Sequence, residues 1–165
     1  AFLAFSGHNF CMGYYGEISK GYDKLHFEEQ SKKAALINAN IEFSGLLLDI
    51  GAGTGSATRL FESKAQCITL DPAKEMLKQY GGLRVVGKAE QLPFRDNSFD
   101  SIVSLTALHH CNLQKAFNEI KRVAKPDASI AISFFTRAAN FLEAKKLFTS
   151  YRLIEAGPDT IFLNK

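Results

Sequence analysis

The chain has 165 residues, 46% apolar and 12% aromatic with no Trp, and 20 Lys and Arg against 17 Asp and Glu leave a net charge of +3. That length suits one domain with its own core, and the apolar content with only 12 Gly and 4 Pro excludes a disordered or fibrous chain. Cys11, Cys67 and Cys111 form an odd set without a Cys-x-x-Cys pair, which reads as reduced thiols in a cytoplasmic protein, and no apolar run approaches the ~20 residues that span a bilayer.

The first eleven residues, Ala1 to Cys11, are apolar-rich but lack a basic leader and a convincing cleavage site, so no export signal is expected. Phe2, Phe5, Phe10, Tyr14 and Tyr15 crowd this end, either as a flap packing on the body, by way of a dimer, or as a lid over a substrate. Met12-Gly13 resembles a natural start, which would make residues 1–11 an extension. Glu28 to Ala39 has the pattern of an amphipathic helix, with Ala34, Ala35 and Ile37 near one face and Lys32 and Lys33 outside. Leu46 to Ile50 is a short apolar strand that runs straight into a Gly-rich turn. Ser56 to Ser63 is helix-like, Gln66 to Leu70 strand-like, Pro72 to Tyr80 helix-like and Leu83 to Val86 strand-like. Phe99 to Leu105 is a further strand. Leu113 to Val123 is a helix, with Phe117, Ile120 and Val123 at three-residue spacing. Ser129 to Phe134 is a strand and Ala138 to Ser150 a helix. Tyr151 to Glu155 and Thr160 to Leu163 close the chain as two strands around Gly157-Pro158-Asp159, a turn too tight for a crossover, so this pair is antiparallel.

Short apolar strands alternating with helices require parallel pairing with helices on both faces. The expected fold is therefore α/β and doubly wound: a mostly parallel, seven-stranded Rossmann-like sheet with a C-terminal antiparallel hairpin. No linker or repeat divides the chain, so residues 1–44 are taken as an aromatic and helical flap and 45–165 as the core of a single domain. Charge is uneven, near −1 over residues 1–48, zero over 49–113 and +4 over 114–165. That tail is compatible with an anionic partner but reads as an ordinary solvated surface, far from the footprint of a dedicated nucleic-acid binder.

Ligands of open α/β sheets bind at the carboxyl ends of the strands, near the point where strand order reverses. The first strand ends in Asp49-Ile50-Gly51-Ala52-Gly53-Thr54-Gly55, whose glycines allow a tight turn and a close approach to a ligand. A helix beginning near Ser56 would aim unpaired N–H groups at that ligand. The third glycine stands one place earlier than a dinucleotide fingerprint requires, and Asp49 would repel a pyrophosphate but attract an ammonium or sulfonium. A cationic or zwitterionic nucleoside fits this loop better than NAD, although Gly-rich turns also serve plain packing. Asp71 ends the second strand 20 residues after Gly51, where doubly wound sites place the acid that accepts from ribose hydroxyls. Ahead of Pro72 it also suits a helix N-cap, and a carboxylate with about four acceptor sites can do both.

These residues resemble the class I S-adenosylmethionine-dependent methyltransferases, and within them the branch that includes ubiquinone- and menaquinone-biosynthesis enzymes. The resemblance runs from Tyr14 onward. Tyr14-Tyr15-Gly16-Glu17-Ile18-Ser19-Lys20-Gly21-Tyr22-Asp23 is similar to the family's aromatic entry segment, Asp49 to Gly55 to its glycine motif and Leu70-Asp71 to its ribose-binding acid. Gly87-Lys88-Ala89-Glu90-Gln91-Leu92-Pro93-Phe94 and Asp96-Asn97-Ser98-Phe99-Asp100 resemble its third- and fourth-strand signatures. Ala107-Leu108-His109-His110 and Glu119-Ile120-Lys121-Arg122-Val123-Ala124-Lys125-Pro126 complete the series. The resemblance implies S-adenosyl-L-methionine as cofactor. It would place the methionine end on Asp49, Gly51, Ala52, Gly53 and Gly55, with Tyr22 closing over it, and the ribose on Asp71 beside Pro72. Met76 would lie near the adenine, whose edge the backbone of Ala89 and Glu90 would read, and Ser104 and Leu105 would line the sulfonium side. Two departures stand out: Lys88 replaces an acceptor common in relatives, and Lys125-Pro126-Asp127-Ala128 replaces Lys-Pro-Gly-Gly, where Asp should preserve the turn.

Methyl transfer needs alignment and exclusion of water more than covalent machinery, so no triad is required and none is visible. If a base is needed, His109 or His110 stands at the right edge of the sheet; either could instead cap a helix or satisfy a buried carbonyl. Adjacent histidines should point apart, no metal set is expected, and Cys111 reads as a small buried hydrophobe. With no inserted cap between the fifth strand and the closing hairpin, the acceptor side looks open. That favours RNA or protein as acceptor, or an accessory subunit that completes the pocket, in a monomer or homodimer. A non-catalytic cofactor-binding subunit and an NAD-dependent oxidoreductase are the remaining alternatives.

Overall fold

The computed structural model describes residues 27–165; the aromatic N-terminal segment and Tyr22 lie outside the described residues. Residues 27–40 form helix α1, followed by β1 (Leu46–Ile50), a 3-10 turn (Thr58–Leu60), β2 (Gln66–Asp71), α2 (Lys74–Leu77) and β3 (Leu83–Val86). Then come β4 (Phe99–Leu105), a second 3-10 turn (Leu108–His110), α3 (Leu113–Val123), β5 (Ala124–Phe135), α4 (Phe141–Leu147), β6 (Arg152–Ala156) and β7 (Asp159–Leu163). The seven strands form one sheet in the order β3-β2-β1-β4-β5-β7-β6. Pairing is parallel from β3 to β5, and β7 runs antiparallel to both neighbours. The expected closing hairpin is present, and its second strand slots between β5 and β6.

Alternation along the strands divides the core. Leu48, Ile102, Ile130, Ile132 and Phe134 face α3 and α4, where they meet Leu113, Ala116, Ile120, Val123, Ala144 and Phe148. Leu47, Val103, Leu105, Ala131, Ile161 and Leu163 face the other way, against Ala34 and Ile37 of α1 and against Phe43 and Phe61. Each fully buried side chain of this size stabilises the fold by about 1.5–3 kcal/mol. Helix α3 begins where expected because the Asn112 side chain accepts from the Lys115 amide at 3.0 Å, and Lys121 and Arg122 suit the negative end of its dipole.

Three expectations change. Ser56 to Ser63 is not an α-helix: Gly55 sits at φ +73°, and the segment mixes three- and four-residue hydrogen bonds around the Thr58–Leu60 turn. Thr58 gives its hydroxyl to Asp49 Oδ2 at 2.6 Å, which holds this turn against β1. Helix α2 is confined to Lys74–Leu77, because Asp71 Oδ1 accepts from the Ala73 amide in an Asx-type turn that delays the helix, so Asp71 is not itself the N-cap. Strand β5 starts at Ala124, five residues before the expected start at Ser129. The Lys125–Ala128 stretch that was expected to turn is an irregularity within it, with Ala124 opposite Phe99 and Ser129 opposite Ser101. Pro126 has no N–H for the ladder, which explains the interruption.

Candidate functional site

Strand order reverses between β1 and β4, so a crevice is expected where their carboxyl ends diverge. Asp49, the penultimate residue of β1, is 2% exposed. Burial raises its pKa to about 7; the Thr58 hydrogen bond pulls it down and the neighbouring charge of Asp71 pushes it further up. In the turn that follows, Gly51, Gly53 and Gly55 have φ of +75°, +56° and +73°. A Cβ on Gly51 would fall 2.2 Å from the Ala107 Cβ, and one on Gly55 would fall 2.5 Å from the Tyr80 ring. Glycine is demanded there by the protein's own neighbours as well as by the left-handed backbone.

Asp71 ties the turn together. Its Oδ2 accepts from the Gly53 amide at 2.8 Å and its Oδ1 from the Ala73 amide at 2.7 Å, while Gly51 and Ala52 both donate to the Leu70 carbonyl. Burial raises its pKa, and these two backbone bonds oppose that rise. Two of its four lone-pair directions remain for a ligand. Met76 is buried against the same turn, 3.2 Å from where a Gly53 Cβ would stand, whereas Pro72 is exposed.

The loop after β3 is positioned by α3. Leu92 donates to Glu119 Oε2 at 2.7 Å, and Arg122 holds the carbonyls of Leu92 and Phe94 while pairing with Glu119 and Asp96. Glu90 Oε1 accepts from the Asn112 amide at 3.0 Å. Ala89 is buried beneath this frame. At the end of β4, Ser104 turns inward and donates to the Ile50 carbonyl at 2.8 Å, and Leu105 packs toward α1. Both residues therefore offer backbone, not side chains, to the crevice. His109 and His110 follow on the 3-10 turn, with ring centroids 3.8 Å apart instead of pointing apart, and His109 beside Phe134 and Phe135. Burial, then the neighbouring His110, lowers the His109 pKa to about 4, so its ring is neutral at pH 7. The Cys111 thiol is pushed up to about 12 by burial and donates to the Leu108 carbonyl, as befits a packing residue.

The sequence reading missed a polar cluster beside this edge. Lys33, expected outside, is 5% exposed and pairs with Asp159. Its ammonium also donates to the hydroxyl of Thr106, a β-branched residue held at φ +54°. No local signal announces these contacts, which join α1, the end of β4 and the start of β7. A cleft of about 400 Å3 at the opposite, amino-terminal end of the sheet is lined by Ser44, Asp100, Lys125 and Lys165. Both of its lysines already have partners, Lys125 on Asp100 and Lys165 on the Asp127 carbonyl.

The profile of the methyltransferase domain family matches residues 48–132, from β1 into β5. An uncharacterized protein of Methanocaldococcus jannaschii is 36% identical over 136 residues, 80% of this chain and 53% of its own length. A malonyl-[acyl-carrier protein] O-methyltransferase of Methylococcus capsulatus is 34% identical over 140 residues, 75% of this chain and 50% of its own. The chain thus spans about half the length of these curated relatives. A solved structure of a candidate S-adenosyl-L-methionine-dependent methyltransferase from Methanococcus maripaludis shares the fold. It superposes with a TM-score of 0.74 at 19% identity, covering 98% of this chain and 96% of that one. These matches reach the family and not the quinone-biosynthesis branch within it. With its glycine turn, its seven-stranded order and these relatives, the chain belongs to the class I S-adenosylmethionine-dependent methyltransferases.

Proposed function

We propose that the crevice at the carboxyl ends of β1, β2 and β4 binds S-adenosyl-L-methionine for methyl transfer to an acceptor lying beyond β4. The supporting observation is the pair of buried carboxylates, Asp49 and Asp71, on either side of a left-handed glycine turn. Burial and then the charge of Asp71 raise the Asp49 pKa, and a cation beside the pair relieves that cost. In this reading Asp71 keeps its two backbone bonds and turns its free lone pairs to the ribose. Asp49 faces the positive end of the cofactor, Met76 packs near the adenine, and Arg122 with Glu119 fixes the Ala89–Glu90 backbone at the adenine edge. When bound, the cofactor supplies a methyl group activated on a sulfonium; the chain supplies orientation and a dry site. His109, neutral at pH 7, serves as a hydrogen-bond partner near the acceptor, with the exposed His110 beside it.

Isothermal titration tests this reading. S-adenosylmethionine and S-adenosylhomocysteine are expected to bind and NAD to fail; the reverse would move the chain to the oxidoreductases. Affinity for the cationic cofactor should rise with pH through about 7 and then level off, because only ionised Asp49 attracts it. Stability of the free protein should run the other way. Folded Asp49 holds its proton up to about 7 whereas the unfolded chain loses it near 3.8, so unfolding free energy falls as pH rises through that window. Melting curves across the window, with and without cofactor, check both signs.

A macromolecular acceptor, RNA or protein, is supported by the short connection between β5 and β6, which carries only α4. An accessory subunit has a specific support too: the edge strand β3 presents Leu83 and Val86, 53% and 55% exposed. Incubation with methyl-labelled cofactor and cell extract is expected to label the RNA or protein fraction. Label only in small molecules would favour a metabolite acceptor, and none at all would favour a non-catalytic subunit.

A further inference from the structure

The Lys33 cluster lies outside the cofactor crevice and is more costly than packing requires. Asp159 opens β7 opposite Phe135 of β5 and is 1% exposed. Its Oδ2 is fully engaged, by the Lys33 ammonium and by the Thr106 hydroxyl at 3.0 Å. Thr106 Oγ1 in turn accepts from Lys33 at 2.7 Å and bonds Ser133 Oγ at 3.1 Å, while the Thr106 amide donates to Ser133 at both its carbonyl and its hydroxyl. Every member is satisfied except one atom. Asp159 Oδ1 is buried with no hydrogen-bond partner among the described residues, and so is His109 Nδ1, three residues beyond Thr106. The His109 ring lies beside Phe135, the register partner of Asp159, and is close enough to feel the charges of both Asp159 and Lys33.

A buried ion pair, a β-branched residue in the left-handed region and an orphaned carboxylate oxygen each cost stability, and such costs concentrate where a site is preorganised. Here they meet where the carboxyl ends of β4 and β5 adjoin the amino end of β7, next to the crevice. We propose that Asp159 Oδ1 is the docking point for the methyl acceptor and takes a neutral O–H or N–H donor, a hydroxyl or an amine. The class follows from charge and size. A carboxylate or phosphate would face Asp159 with the same sign, and Lys33 is already committed to Oδ2. A buried oxygen admits a group of one heavy atom far more readily than one carrying three or four oxygens. Lys33 and Ser133 are positioning residues, since they fix Asp159 and Thr106 and need not touch the acceptor. The role assigned to this edge rests on the methyltransferase reading.

Four probes on one ring separate the headgroups: phenol, aniline, benzoate and phenyl phosphate, each titrated by NMR into the full chain with and without S-adenosylhomocysteine. Phenol and aniline should bind and shift the His109 ring resonances, and benzoate and phenyl phosphate should not. Asp159→Asn should weaken phenol binding at least tenfold while leaving affinity for S-adenosylhomocysteine within about twofold. Equal or better binding of benzoate, no binding of any probe, or unchanged phenol affinity in a folded Asp159→Asn chain would overturn the proposal. If Asp159→Asn does not fold, the headgroup series on the unaltered protein decides alone. Failure of S-adenosylhomocysteine to bind would sink the methyltransferase reading separately, because the probes are also titrated without it.

Discussion

Replacing Lys33 by Ala is expected to lower the free energy of unfolding by about 3–5 kcal/mol, the usual penalty for leaving one member of a buried ion pair unmatched. The size follows from where the charge sits. Asp159 is 1% exposed, its Oδ1 already lacks a partner, and after the change its Oδ2 would keep only the Thr106 hydroxyl. Thr106 would also lose the ammonium that helps hold it at φ +54°. A double variant, Lys33→Met with Asp159→Leu, should recover most of the loss, because two apolar groups of similar volume carry no desolvation penalty. Urea unfolding of the single and double variants measures both. A Lys33→Ala chain within about 1 kcal/mol of the parent, the range of exposed pairs, would mean that this ion pair does not form in solution.

Asp71→Ala should weaken binding of S-adenosylhomocysteine by about 5–150-fold, the equivalent of the 1–3 kcal/mol usually lost with a polar ligand contact. The substitution acts twice. It removes the ribose acceptor, and it strips the Gly53 and Ala73 amides of their shared carboxylate, which loosens the turn that shapes the crevice. Asp71→Asn should fall between, since an amide oxygen keeps one of the two bonds while its NH2 faces the other donor. Hydrogen exchange at the two amides separates these effects: faster exchange at Gly53 and Ala73 without loss of affinity would place the ribose elsewhere.

The strands were legible because each is a short apolar run bounded by turn residues, as in Leu46–Ile50, Leu83–Val86 and Phe99–Leu105, all three observed with the expected bounds. Helix α3 was legible because its apolar spacing and its Asn112 cap are local. The glycine turn was legible for the same reason, since positive φ is a property of the residue itself. The segment after it was not. Its helical pattern competes with Gly55 at φ +73° and with a Thr58 hydroxyl bound to Asp49 on another element. Lys33 failed for a related reason: a lysine beside an apolar face looks solvated until β7, late in the chain, brings an aspartate over it. Arg122 lies in a legible motif on α3, yet nothing local shows that it clasps the loop that carries Ala89 and Glu90. What pattern reading reaches is periodicity and backbone chemistry, and what escapes it is pairing between residues far apart in the chain.

The place of β7 has a consequence for biogenesis. It is the last strand in the described order, yet an interior one, and β6 joins the sheet only through it. A nascent polypeptide halted on the ribosome before residue 159 would leave β5 with a bare ladder of amides and carbonyls, an invitation to mispair with other chains. Sheet completion and assembly of the Lys33 cluster would then occur together, as β7 emerges.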